Sequence, residues 1–324
     1  MTDFDRYLEA ATRANTRRSY AAAVKHFEVE WGGHLPATAD GVSRYLAYYA
    51  DKLAINTLRQ RLAALGQWHA EHGFVDPTRA SLVRKVLKGI QALHPAVEKR
   101  AMPLQLTQLG QAADQLDRLI EAARTREDRA AVLRHLRDRA LILVGFWRGF
   151  RSDELIRLQV GHVRIVPNEG MELFLGSSKA DRENRGKTYK VPALSRWCPV
   201  AATTLWIATA ELREGPLFRG IDRWGHIGED GLHANSVVPL LRRTLADAAL
   251  PSSDRYSSHS LRRGFASWAN ANGWDVKALM EYVGWKDVHS AMRYIEGDDA
   301  FSRHRIEDSL STLAPKAALE HRPE

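Results

Sequence analysis

Over the first 94 residues apolar side chains recur at helical spacing and never alternate, so this stretch predicts helices alone. Tyr20, Val24, Phe27 and Trp31 fall on one face of a helix from Arg17 to Trp31, with Thr16 as its cap and Gly32-Gly33 as its stop. A second helix opens near Ala39-Asp40 and carries Val42, Tyr45, Leu46 and Tyr49. A third opens near Asn56-Thr57 and carries Leu58, Leu62, Leu65 and Trp68, and a fourth runs from about Thr78 to Leu93. These elements predict a bundle of four or five helices. His94 to Pro103 (HPAVEKRAMP) has two prolines, three charges and no amphipathic period, and reads as a linker.

Helical spacing resumes at Thr107 to Ala123 and Glu127 to Phe146. It gives way at Val163 to a hairpin signal: Val163 to Val166, the turn Pro167-Asn168-Glu169-Gly170, then Glu172 to Leu175. Lys187 to Leu194 is a plausible third strand, and the polar segment Gly176 to Gly186 between them a loop. Ser258 is positioned to cap a helix that Gly273 stops, and Phe301 to Leu313 is amphipathic. The predicted fold is mainly α: a helical bundle at 1–94, a linker at 95–103, and at 104–324 a mostly helical domain with a small three-stranded antiparallel sheet.

A chain of 324 residues agrees with two domains. Its 47 Lys and Arg exceed its 39 Asp and Glu, giving a formal net charge of +8. Residues 1–100 alone hold 15 Lys and Arg against 10 acidic residues. Such a balance suits a polyanionic partner. A single cysteine, Cys198, excludes a disulfide framework and a cysteine-based zinc site. No run of 18 apolar residues is present and MTDFDRYLEA lacks the apolar stretch of a signal peptide, so a cytoplasmic location is expected.

Candidate chemistry lies in four short segments. In YSSHSLRRGFASWANANG (Tyr256 to Gly273) His259 and Arg262 stand three apart on one helix face, while Leu261, Phe265, Trp268 and Ala269 form an apolar one. GWKDVHSAMRY brings Trp285 and, on a short helix after a turn, Tyr294. GFRSDEL places Arg151 ahead of a helix whose first turn holds Asp153 and Glu154. Lys179 sits in the hairpin loop. Singly, each has an ordinary explanation: a solvated charge, a salt bridge, a core tyrosine. Together they supply what phosphodiester chemistry without a metal requires. Guanidinium forks and N–H donors neutralise the pentavalent phosphate, a lysine protonates the leaving oxygen, and a phenol attacks. Neither HExxH nor GxxxxGK[ST] occurs, so no metal and no ATP is expected.

In order, residue type and spacing, Arg151, Lys179, His259-x-x-Arg262, Trp285 and Tyr294 resemble the tyrosine recombinase (phage integrase) family. Tryptophan stands at 285, where most members have histidine. The likeness runs from about residue 12 to 313. It implies that Arg151 and Arg262 clamp the scissile phosphate, that His259 and Trp285 donate to it, and that Lys179 protonates the leaving 5′ hydroxyl. Tyr294 would form a 3′-phosphotyrosyl link, and Glu154 would support the site without reacting. The resemblance further implies double-stranded DNA with an inverted-repeat site and two rounds of exchange through a Holliday junction. It implies a homotetramer on two DNA sites, joined by the 301–313 helix, with no cofactor. By the same likeness Thr16, Arg17, Arg18, Asn56, Thr57, Arg59 and Gln60 fall on helices that enter the major groove. A type IB topoisomerase or a hairpin telomere resolvase shares this chemistry. A non-catalytic DNA-binding regulator would have lost one or more of the six site residues, and all six are present. A helical interaction module leaves the positive charge unexplained.

Overall fold

The computed structural model describes residues 14–95, 101–176 and 186–295 and a few positions before residue 13, without the side chains of Ser290 and of Arg293 to Ile295. The chain divides into two compact units, Met1–Lys99 and Arg100–Glu324.

The regular elements among the first unit's described residues are all helical. Helix α1 (Ala14–Lys25) widens into a π-turn at His26–Glu30 and is followed by α2 (Ala39–Tyr48), α3 (Ile55–Glu71) and α4 (Ser81–Leu93). Phe27, Val42, Tyr45, Leu46, Leu58, Leu65 and Val83 make its core. Thr16 is not the cap expected of it, because α1 already runs from Ala14 and places Thr16 within its first turn. The chain does leave the helix at glycine: Gly32 takes a φ of +78°, which side chains resist. The fourth helix opens three residues later than the spacing suggested. Asp76 accepts from the backbone and hydroxyl of Thr78, at 2.9 and 2.7 Å, and so ties Pro77–Arg79 into a separate 3-10 turn.

In the second unit α5 (Leu106–Thr125) leads into α6 (Arg129–Arg148), and α7 (Ser152–Ile156) follows. Strands β1 (Val163–Val166), β2 (Gly170–Leu175) and β3 (Lys187–Pro192) form an antiparallel sheet in that order, with Leu173 opposite both Val163 and Tyr189. Met171, Leu173, Leu175, Tyr189 and Val191 are buried, which is the alternation expected of a one-sided sheet. Then come α8 (Pro199–Thr209), β4 (Arg219–Ile221), β5 (Ile227–Gly231), α9 (Val237–Asp247), α10 (Ser258–Ala271), α11 (Val276–Val283) and α12 (Val288–Ile295). Helix α6 is the hub. Every residue from Ala140 to Arg148 is buried, and α5, α8 and α10 pack around it.

Two features of the second unit also depart from the sequence reading. The β4–β5 ribbon was not expected, because RGIDRWGHIGEDG carries no apolar alternation and its pairing is irregular between Arg219 and Ile221. The cap of α10 is Ser257, not Ser258. The Ser257 hydroxyl accepts from the His259 N–H at 3.2 Å, and that of Ser260 accepts from the Ser257 N–H at 2.8 Å. The 301–313 segment lies outside the described residues. Among those described, no helix is long and apolar enough to cross a membrane.

Helix α10 is seated by a glycine. Leu104 donates its N–H to the Ser260 carbonyl at 3.0 Å as it passes over the helix. A Cβ on Gly264 would lie 1.9 Å from the Leu104 oxygen and 2.9 Å from the Phe146 ring. Gly264→Ala should therefore cost about 1–3 kcal/mol by overpacking and lower the melting temperature by roughly 3–10 °C. Gly89→Ala, on α4 with open space around it, should stabilise by about 0.5–1 kcal/mol. Scanning calorimetry checks both, and an unchanged Gly264→Ala protein would mean that Leu104 does not hold its place.

Candidate active site

The site is organised by Arg262, which is 1% exposed. The apolar face of α10 fixes it there: Leu261 and Phe265 are buried, and Phe265 meets Phe146 of α6 edge-on at 6.3 Å. Arg262 Nη1 donates to the Gly149 carbonyl at 2.6 Å, and Nη2 donates to the Val283 carbonyl at 3.4 Å. Gly149 caps α6 with a φ of +63°, a left-handed turn that glycine takes without strain. One guanidinium thus joins the ends of α6 and α11.

Beyond Val283 the chain turns through Gly284, at φ +78°, into Trp285, which is 6% exposed. The Arg262 guanidinium stands 5.0 Å from the Trp285 ring centre, a cation–π distance. Beyond Gly149 the chain reaches Arg151, which opens α7. Both its backbone N–H and its Nη1 donate to the Glu154 carboxylate at 2.8 Å. The same carboxylate lies 3.8 Å from Arg262 Nη1. Glu154 therefore stands between two guanidiniums that the sequence separates by more than a hundred residues. Of the two acids in this turn, Glu154, the one the resemblance singles out, pairs with Arg151, while Asp153 pairs with Arg157 at 3.0 Å.

The remaining candidates are placed less completely. His259 is exposed in the first turn of α10, one turn before Arg262. Tyr294 belongs to α12, which Asp287 opens by accepting from the His289 N–H at 3.1 Å and which packs on α10 and α11; its side chain lies outside the described residues. Lys179 also lies outside them. The backbone carbonyls that hold Arg262 were not anticipated, although the glycine directly after a long apolar helix was the available signal for one of them.

In the first unit, Thr16, Arg17 and Arg18 lie on α1, and Asn56, Thr57, Arg59 and Gln60 on α3. Gln60 Nε2 donates to the carbonyl and hydroxyl of Ser19, at 3.2 and 2.9 Å, so the two sets occupy neighbouring helices. Arg17, Arg18 and Arg59 are exposed. Arg59 reaches Asn56 at 3.2 Å and Gln91 at 2.9 Å, while Arg18 bonds Asn15. On α3 Arg61 donates to the Tyr45 hydroxyl at 2.7 Å, leaving the hydroxyl proton for His26 Nδ1 at 3.0 Å.

A family model described as the phage integrase family matches residues 112–300, more than half of the chain. The chain belongs to the phage integrase family, whose members are tyrosine site-specific recombinases. An integrase/recombinase XerD homolog of Selenomonas ruminantium is 29% identical over 311 residues, covering 93% of this chain and 87% of that protein. Recombinase Cre of Escherichia phage P1 is 25% identical over 302 residues, covering 87% and 82%. In fold, this integrase-family chain resembles the XerH site-specific recombinase with a TM-score of 0.63, at 16% identity, over 91% of this chain and 79% of that one.

Two predictions follow from the charges. Glu154→Gln leaves two arginines facing each other without the carboxylate between them, and should cost about 3 kcal/mol, within the range for breaking a buried pair. Urea unfolding measures it; a cost below about 0.5 kcal/mol would show that solvent already screens the cluster. Burial holds His26 below its usual pKa, with Arg61 acting in the same direction and Glu30 opposing. The unfolded chain then takes the proton first, so His26 contributes stability above about pH 6.5 that is lost as pH falls from there towards its folded value. Hydrogen exchange at the Phe27 and Tyr45 amides should show protection falling between pH 7.5 and 5.5, and falling less in His26→Gln.

Proposed function

We propose that this recombinase cleaves and rejoins double-stranded DNA through a 3′-phosphotyrosyl intermediate, needing neither metal nor ATP. The observation that carries the reading is the Arg151–Glu154–Arg262 cluster. It holds two cations and one carboxylate, so a net positive charge remains for an incoming phosphodiester. The grip on Gly149 and Val283 leaves the Arg262 fork little freedom, so its orientation is set before substrate arrives. Arg151, half-buried, is the more accessible of the two.

In this reading Arg151 and Arg262 bind the non-bridging oxygens, and the His259 ring and the Trp285 indole N–H add donors. The phenolic oxygen of Tyr294 gives up its proton to solvent as it attacks phosphorus, the bond to the 5′ oxygen breaks, and Lys179 gives that departing oxygen a proton. The energy of the broken ester stays in the phosphotyrosine, so a partner strand's 5′ hydroxyl reverses the step. Phenol, with a pKa near 10, serves both as nucleophile and as leaving group. Glu154 neither attacks nor transfers a proton; it balances and orients the two arginines. The exposed arginines of α1 and α3 give the first unit phosphate contacts or base contacts on the same duplex.

Two rounds through a Holliday junction would exchange both strands. That requires a homotetramer on two sites, each an inverted repeat, with the 301–313 segment docking between protomers. XerH, the structural relative, was captured after cleavage on a palindromic difH substrate, which supports the reading for a site of that symmetry.

A nicked suicide duplex carrying the recombination site tests the chemistry. The parent protein should form a covalent adduct that migrates slowly in denaturing gels. Tyr294→Phe should bind the duplex within about threefold of the parent and form no adduct. Cleavage by Tyr294→Phe would place the nucleophile elsewhere.

A further inference from the structure

Arg148, the last residue of α6, is a buried cation that the chemistry above does not use. It is 4% exposed. Other buried charges here meet a partner: Arg137 pairs with Asp138, which also holds Arg243 at 2.9 Å, and Glu154 serves Arg151 and Arg262. Arg148 has no ion pair among the described residues, and its Nε and Nη1 find no hydrogen-bond acceptor there. Two tyrosines hold it instead, chiefly through their ring faces, with the Tyr282 oxygen also attracting it. Its guanidinium lies 4.0 Å from the centre of Tyr282 on α11 and 4.8 Å from that of Tyr189 on β3.

Those two tyrosines reach the site. The Tyr282 hydroxyl donates to the Trp147 carbonyl at 2.9 Å. Tyr189 meets Phe150 edge-on at 5.1 Å and lies under Gly284, where a Cβ would stand 3.7 Å from its ring and 3.8 Å from its hydroxyl. Residues 147–150 lead directly into Arg151, and residues 282–284 lead directly into Trp285. Arg148 is therefore the cation around which these two approaches meet.

Stability does not account for the charge. Burial of an ion costs several kcal/mol, and two desolvated cation–π contacts at ~2 kcal/mol each do no more than offset it, leaving no net gain. Burial also draws the Arg148 pKa down, and arginine stays protonated regardless. An apolar side chain of equal length would fill the space at no greater cost. What it would lack is a charge that obliges both rings to turn their faces inwards.

We propose that Arg148 is a positioning residue for strand cleavage: held between Tyr189 and Tyr282, it sets the turn bearing Trp285 against the segment bearing Arg151. This rests on the proposed function, since the geometry being set is that of the phosphate cradle. Arg148 itself touches no substrate.

The test compares the parent, Arg148→Met and Arg148→Lys on the suicide duplex at saturating protein. DNA affinity is read by fluorescence anisotropy, melting temperature by calorimetry, and the indole N–H signals by 15N NMR, with Trp285→Phe assigning its own resonance. Arg148→Met should keep its fold and bind DNA within about threefold of the parent, yet form adduct about tenfold more slowly, or about 1.4 kcal/mol in barrier. Its Trp285 indole signal should move. Arg148→Lys, which retains a cation between the rings, should recover at least about threefold of that loss. Parental rates and an unmoved Trp285 signal in Arg148→Met would overturn the proposal. So would its failure to fold, which would make Arg148 a stability element. If the parent itself forms no adduct, the proposed function fails, while the Trp285 signal still reports whether Arg148 sets that turn.

Discussion

The grip of one buried guanidinium on two backbone carbonyls is the constraint from which the proposed active site follows. Arg262 cannot be buried without acceptors, and the acceptors it finds are Gly149 at the end of α6 and Val283 at the end of α11. Both carbonyls belong to helix ends, where backbone oxygens lack an intrahelical partner. Satisfying them with an arginine solves two accounting problems at once. It also brings together the two chain segments that continue into Arg151 and into Trp285. The helix termini are thereby neutralised, and the donors for an anion converge as a consequence of packing.

The electrostatics are graded by burial. Arg262, enclosed, is balanced partly by carbonyl dipoles and partly by Glu154. Arg151, at the edge, shares the same carboxylate while remaining accessible. A carboxylate placed between two arginines lowers the cost of assembling like charges before an anion arrives. It does so without cancelling them, so a net positive charge survives, as the proposed phosphodiester binding needs. A second glutamate would remove that surplus, and none at all would leave the arginines to repel each other apart.

Much of this was legible in residue order. The helix spacing of the first unit, the hairpin at Val163 to Leu175 and the polar pair on the Arg262 helix are local patterns, and periodicity reports local patterns well. Helix starts were less legible. Thr16 and Ser258 both looked like caps, and in each case the helix had begun earlier or been capped by a neighbour, since several adjacent polar residues offer equivalent oxygens. The β4–β5 ribbon escaped because its pairing owes nothing to an apolar stripe. Long-range partners were invisible on principle. Nothing in GFRSDEL states that Gly149 will accept from a residue 113 positions away, and only the family likeness, not the local pattern, singled out Glu154 over Asp153.

Arg148 shows the same limit from the other side. Within LILVGFWRGF it is the charge that breaks an apolar run, and as a string it invites the reading of a helix end meeting solvent. The fold buries it, and compensates with tyrosine rings in place of a paired carboxylate, Glu154 adding only a weaker attraction. A carboxylate beside Arg148 would stabilise the core more, but it would add a negative charge close to the Arg151–Arg262 cluster proposed to bind phosphate. Tyrosine faces hold a cation through a quadrupole and bring no net charge of their own. Buried cations held by rings and carbonyls, with a single acid between two of them, give a rigid floor whose positive character is preserved, and that combination is what the proposed phosphate cradle would demand of its protein.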